Sequence, residues 1–213
     1  MKLKKLLIDS KKIDSVEKPE AVIMVGPPGS GKTHISKDYK STHVIIDVDK
    51  LRCPPIKEDI EDLDESYYRY TSQAKAEKRR DEVIERMILE KKNIVIHILT
   101  GSKYWYEQAL NIHYSGYKVK FVFILTNKDQ TKVNIFKKNK EERESQGYAI
   151  VAEDDFINYS FETIPQLLLL TLKDESQVIE KVALVNQDGV EFTEYSREDI
   201  YRALKGNYMK NSY

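Results

Sequence analysis

The chain has 213 residues, 40% hydrophobic and 33% charged, with 35 Lys+Arg balanced by 35 Asp+Glu. This apolar share supports one sizeable core, and the zero net charge excludes a disordered polyelectrolyte and the broad basic excess of a general nucleic-acid binder. No apolar run approaches the ~20 residues needed to cross a bilayer, the basic N-terminus lacks a signal-peptide apolar core, and one cysteine, Cys53, excludes a disulfide framework or a cysteine zinc site. A cytoplasmic protein that does not engage membranes is expected.

Residues 1–18 read as a polar, Lys-rich extension, and 19–213 as a single domain. The apolar run 21–25 ends in glycine and predicts a buried strand. A short helix is expected over 32–39 and a second buried strand over 43–47. The acidic, proline-bearing stretch 51–66 reads as loop. A long helix over 67–91 carries Val83, Ile84, Met87 and Ile88 on one face. A strand over 93–99, a helix over 104–114 and a strand over 118–126 follow. The charged segment 128–145 predicts a helical lid that stops at Gly147. Residues 154–171 read as helix, with Pro165 marking a break or a new first turn. A fifth strand is expected over 181–186, then a turn at Gln187-Asp188-Gly189, a hairpin partner over 190–192, and a last helix capped by Ser196. Strands and helices alternate, and the strands are apolar on both faces. The expectation is an α/β fold with three layers, a mainly parallel five-stranded sheet and a charged helical lid. Strand 21–25 should be central, between 93–99 and 118–125.

Gly26-Pro27-Pro28-Gly29-Ser30-Gly31-Lys32-Thr33 matches G-x-x-x-x-G-K-[ST], placed after a predicted strand and before a predicted helix. Glycines let backbone N–H groups turn inward around an anion, and the helix N-terminus adds partial positive charge. This cradle, with His34 beside it, is the expected ATP site. Lys32 would reach the β- and γ-phosphates and the Thr33 hydroxyl would hold Mg²⁺. The loop by itself leaves kinase, GTPase and motor ATPase open. Asn127-Lys128-Asp129 is one residue short of the guanine motif and reads as a polar turn, and no strand ends in Asp-Glu. Instead, Asp47 and Asp49 stand at i and i+2 at the end of a strand, facing the crevice of an α/β sheet. One can support Mg²⁺ and the other can accept a proton from a substrate hydroxyl. His97 at a strand end reads as a core histidine or a catalyst. Trp105, between Tyr104 and Tyr106, reads as helix packing or a surface for stacking on a substrate ring.

These motifs resemble the zeta-toxin family of P-loop kinases. In that family the P-loop is followed by I-D-x-D-x-h-[RK], matched here by Ile46-Asp47-Val48-Asp49-Lys50-Leu51-Arg52. The resemblance implies that Asp49 is the general base and that Arg52, Asp81 and Thr100 are substrate-binding residues, which leaves Asp47 as the supporting Mg²⁺ ligand. Asp81, beside Glu82, falls where the family carries an acidic residue on the long helix. Thr100 and Gly101 align with its E-G-T-G-R segment with a one-residue shift. Pro165 falls at a shared proline, and 184–189 resembles a family turn.

The sequence departs from the family at the lid and the third strand. His97 replaces a strand-end glutamate, and Ser102-Lys103 replaces the arginine that follows. The lid shows Lys137 and Lys138 near one expected arginine and Gly147-Tyr148 at the other, with Arg143 as a substitute. Lys137, Lys138 or Arg143 would close over the γ-phosphate, although lysine lacks arginine's bidentate fork. The expected activity is ATP/Mg²⁺-dependent transfer to a hydroxyl. By resemblance the acceptor is a UDP-amino sugar, and an antitoxin protein is the partner it implies. A polynucleotide 5′-hydroxyl is the alternative nucleic-acid acceptor, and a nucleotide-binding module without catalysis is the alternative of another class.

Overall fold

The apolar runs 21–25, 94–98 and 121–124 become strands. In the computed structural model, which describes residues 13–55, 60, 63–173, 178–186 and 189, β1 (Glu20–Val25), β2 (Val44–Ile46), β3 (Ile94–Ile98), β4 (Lys118–Ile124) and β5 (Ile179–Val185) form one sheet in the order β2-β3-β1-β4-β5. Every pairing is parallel. The P-loop strand is central, as expected, because near-continuous apolar runs are covered on both faces. Register shifts between Val119 and Lys120, where β4 meets edge strand β5.

The helices are α1 (Lys32–Ile35), α2 (Glu65–Leu89), α3 (Lys103–Tyr114), α4 (Lys128–Gln146) and α5 (Asp154–Leu172). On one sheet face, Val83, Ile84 and Met87 of α2 pack with Trp105, Ala109 and Ile112 of α3 and Ile164, Leu167 and Leu168 of α5. Each buried Val, Ile, Leu or Met among these contributes on the order of 1.5–3 kcal/mol. The opposite face packs Val22, Met24, Val95, Val122 and Ala183 with Ile35.

Local chemistry sets the ends of the helices. Asp64 caps α2 by accepting from the Tyr67 N–H at 3.0 Å. Asn127 caps α4 by accepting from Gln130 at 2.8 Å, so the segment read as a polar turn starts a helix. Gly147 ends α4 in the left-handed region, at φ 84°.

Two expectations change. The helix over 32–39 tightens after Ile35 into a 3₁₀ turn, Ser36–Tyr39. Pro165 does not break α5, which runs through it. The stripe of Ile157, Ile164, Leu167 and Leu168 is buried on both sides of the proline, and this packing holds the helix to the sheet. The expected hairpin partner over 190–192 and the helix capped by Ser196 lie outside the described residues.

Candidate active site

All five strands point their C-terminal ends to one edge of the sheet, and the P-loop leaves β1 there. Gly29 and Gly31 have φ of 74° and 95°, conformations that side chains with a Cβ rarely adopt. A Cβ on Gly26 would meet Ser30 Oγ at 2.4 Å and Ser30 Cβ at 3.1 Å, so a larger residue there would force Ser30 to shift. Lys32 folds back into this loop. Its Nζ donates to Gly26 O at 2.6 Å, Pro27 O at 2.8 Å and Ser30 Oγ at 3.1 Å. Burial pushes its pKa down to about 7, with Asp47 opposing.

The sheet register sets Asp47 beside His97. Ile46, the last residue of β2, pairs with Ile96, so Asp47 leaves the strand next to His97. His97 Nδ1 is 3.6 Å from Asp47 Oδ2, and Lys50 Nζ is 4.0 Å from that same oxygen. His97 is buried, as a core histidine would be, and its Nε2 has no hydrogen-bond partner. Burial opposes the charge on Asp47, but His97, Lys50 and Lys138 outweigh it and hold the carboxyl well below the usual carboxylate range.

Asp49 reaches the site by a different route from the one expected. Strand alternation does not carry it there, because β2 ends at Ile46 and Val48–Leu51 forms a 3₁₀ turn. Asp47 caps that turn, its Oδ1 accepting from the Asp49 N–H at 3.1 Å. The Asp49 carboxylate then receives Arg52 Nε at 3.2 Å and stands 3.5 Å from Lys138 Nζ of α4.

These groups line one cleft of about 110 Å³, open to solvent. Pro28 to Thr33 form its floor, with Asp47, Asp49 and His97 from the strand ends. Arg69 of α2 and Lys138 of α4 add positive charge at its walls. The exposed Thr33 hydroxyl and the Asp47 carboxylate are hard oxygen donors, the type that suits Mg²⁺. Helix α4 is seated directly on the loop. Asn134 Nδ2 donates to Gly29 O at 2.9 Å, and a Cβ on Gly29 would lie 2.6 Å from Thr131 O. Burial works against the charge on Lys138, but Asp49, Glu142 and Asp47 raise its pKa above the usual lysine value.

Several residues that the sequence nominated stand elsewhere. Lys137, Asp81, Thr100 and His34 are not among the residues lining the cleft. Arg143 forms a forked ion pair with Glu65, whose Oε1 also accepts from Ala149 N at 2.6 Å. Arg52 is buried and donates to Arg69 O and Ser72 Oγ at 2.8 Å, and to Gln73 Oε1, as well as to Asp49. It therefore ties the turn to α2 and orients Asp49. Asp81 pairs with Arg80 at 2.9 Å, and the Arg80 guanidinium lies 4.7 Å from the centre of the buried Trp105 ring. Trp105 thus packs a helix rather than presenting a face to a ligand. Sequence reasoning missed Arg69, which belongs to no motif and reaches the cleft only because α2 packs against the turn after β2.

A family model described as zeta toxin matches residues 4–192. The chain belongs to the zeta toxin family. No curated protein matches it. Among solved structures, one from the PezAT chromosomal toxin–antitoxin system of Streptococcus pneumoniae is similar with a TM-score of 0.76. It is 18% identical, over 99% of this chain and 87% of that one. A structure of AvrRxo1-ORF1 with AvrRxo1-ORF2 and sulphate ions gives a TM-score of 0.63 at 12% identity, over 95% and 70% of the two chains. A kinase-assigned protein from Chloroflexus aurantiacus gives 0.56 at 13% identity, over 90% and 99%. The fold is that of a P-loop kinase. Among the described residues, no helix is long and apolar enough to cross a membrane.

Proposed function

We propose that the chain transfers the γ-phosphoryl group of ATP to a hydroxyl, with Mg²⁺ as cofactor and a UDP-activated amino sugar as acceptor. The observation that carries this reading is the convergence of the P-loop, Lys32, Asp49 and Lys138 on one cleft. The loop's backbone N–H groups and the N-terminus of α1 bind the phosphates. Lys32 turns its ammonium from the loop carbonyls toward the β- and γ-phosphates. Thr33 and Asp47 would hold Mg²⁺, which would neutralise phosphate charge. Asp49, oriented by Arg52, accepts the proton of the attacking hydroxyl. Lys138 stands beside that carboxylate and adds positive charge near the transferred group. The acceptor class follows the family membership, and an antitoxin protein in the cytoplasm is the partner it suggests.

The test is a screen for transfer of label from γ-³²P-ATP to UDP-sugars, nucleosides and 5′-hydroxyl oligonucleotides. Labelled UDP-amino sugar is the expected product. Label on oligonucleotide alone would replace the acceptor, and no transfer to any acceptor despite ATP binding would leave a non-catalytic nucleotide-binding module.

A further inference from the structure

The described residues include six arginines, and five have their guanidinium groups engaged. Arg52 serves Asp49 and α2, Arg79 donates to Leu51 O, and Arg80, Arg86 and Arg143 pair with Asp81, Glu90 and Glu65. Arg69 is the exception. Among the described residues no hydrogen bond or ion pair takes up its guanidinium N–H groups, although its backbone carbonyl accepts from Arg52. The side chain is half-buried, lines the cleft with the P-loop, and lies with Cζ 4.1 Å from the centre of the Phe156 ring. A guanidinium stacked on an aromatic face is held in plane while its N–H edge stays available.

We infer that Arg69 donates this edge to the γ-phosphoryl group of bound ATP, and so fills the place that the lid of this chain leaves to lysine. The inference rests on the kinase reading above. Arg143, the arginine expected there from the sequence, is forked onto Glu65. The lysines at the cleft, Lys32 and Lys138, supply charge without a planar fork. Burial lowers the pKa of Arg69 from the ordinary arginine value and Asp49 opposes this, so the guanidinium sits in the field of the proposed base and remains charged. In the transfer, the acceptor oxygen bonds to the γ-phosphorus as its proton passes to Asp49. The bond from that phosphorus to the β,γ-bridging oxygen breaks, and ADP leaves with the electron pair. Arg69 neutralises charge on the γ-oxygens, which do not themselves form or break a bond to phosphorus.

Because the contact is to the γ-group, it is read without any acceptor. Calorimetry on the full chain with Mg²⁺ compares ADP with the non-hydrolysable triphosphate adenylyl imidodiphosphate. Arg69→Ala should weaken the triphosphate analogue by about 10- to 100-fold, the range of a charge-assisted hydrogen bond, and leave ADP within about threefold. Arg69→Lys should lose less, and again only for the triphosphate. Phe156→Leu keeps the arginine but frees its plane, and should fall between wild type and Arg69→Ala. Should Arg69→Ala fail to fold by circular dichroism, the lysine and leucine variants carry the comparison. Equal losses for both nucleotides, no loss, or a loss seen only for a UDP-sugar acceptor would overturn the assignment. A wild-type chain that binds neither nucleotide would instead overturn the kinase reading itself.

Discussion

Asp47 and Asp49 stand two residues apart in different chemical settings. Asp47 is enclosed by His97, Lys50 and its own cap to the turn, which keep it ionised. Asp49 has one oxygen on Arg52 and the other near Lys138, at the wall of the cleft. Asp49→Asn keeps the size of the side chain and removes the proton acceptor. It should lower kcat by about 10²–10⁴-fold, the usual contribution of a general base, with ATP affinity little changed. Single-turnover transfer with the acceptor found in the screen measures it, and near-full activity in the variant would remove Asp49 from the base role. A second residue-scale prediction lies at the far end of the sheet. His43 is buried, with its ring nitrogen 3.2 Å from a Glu20 oxygen, and burial lowers its pKa below 6.5 despite that carboxylate. The unfolded chain therefore binds the proton more readily than the folded one. This contribution is complete above about pH 6.5 and declines as pH falls through 6.5 toward the lower folded value. Between about pH 7.5 and 5.5 the melting temperature should fall more for wild type than for His43→Gln, in which the group does not titrate. Parallel slopes would show that His43 is not responsible.

Elements were legible in the sequence wherever apolar pattern and caps agreed. The strands at 94–98 and 118–124 and the long helix Glu65–Leu89 lie within two residues of their expected bounds. Agreement failed where tertiary contact decides. Propensity marked Pro165 as a break, but burial of its neighbours carries α5 through it. Strand alternation pointed Asp49 at the crevice, but a 3₁₀ turn capped by Asp47 is what aims it. Neither the Glu65 fork on Arg143 nor the arrival of Arg69 at the cleft has a sequence signal, because each joins segments far apart in the chain. Gly101 carries the element-scale prediction. A Cβ there would lie 1.8 Å from the Thr163 backbone oxygen, and its N–H donates to Thr163 Oγ1 at 3.0 Å. Gly101→Ala must push α5 away from the start of α3, at a cost of about 1–3 kcal/mol or more. Urea denaturation would show this as a lower midpoint with an unchanged slope. A change under about 0.5 kcal/mol would mean that the α5 contact yields freely.

At the scale of the whole molecule, the sheet edge that gathers the site also couples it to stability. The P-loop joins central strand β1 to α1, and α4 rests on it through Asn134 and the close approach of Thr131 to Gly29. The turn after β2 is tied to α2 through Arg52. A nucleotide held in the cradle would therefore touch segments anchored to both layers, and would bind the folded chain rather than the unfolded one. By mass action, ligand at about 100 times its dissociation constant stabilises the fold by about 2.7 kcal/mol. For a chain of this length that corresponds to a rise in melting temperature of roughly 5–10 °C. MgATP should produce such a rise in wild type. Lys32→Ala should abolish most of it, because the side chain now bonded to Gly26 and Pro27 is the one proposed to meet the phosphates. Asp49→Asn should retain it, since that residue is proposed to act on the acceptor. Scanning fluorimetry over a MgATP series separates these cases. An equal rise in wild type and Lys32→Ala would place the stabilising contact outside the cradle. A rise lost in Asp49→Asn as well would mean that this carboxylate supports nucleotide binding rather than proton transfer.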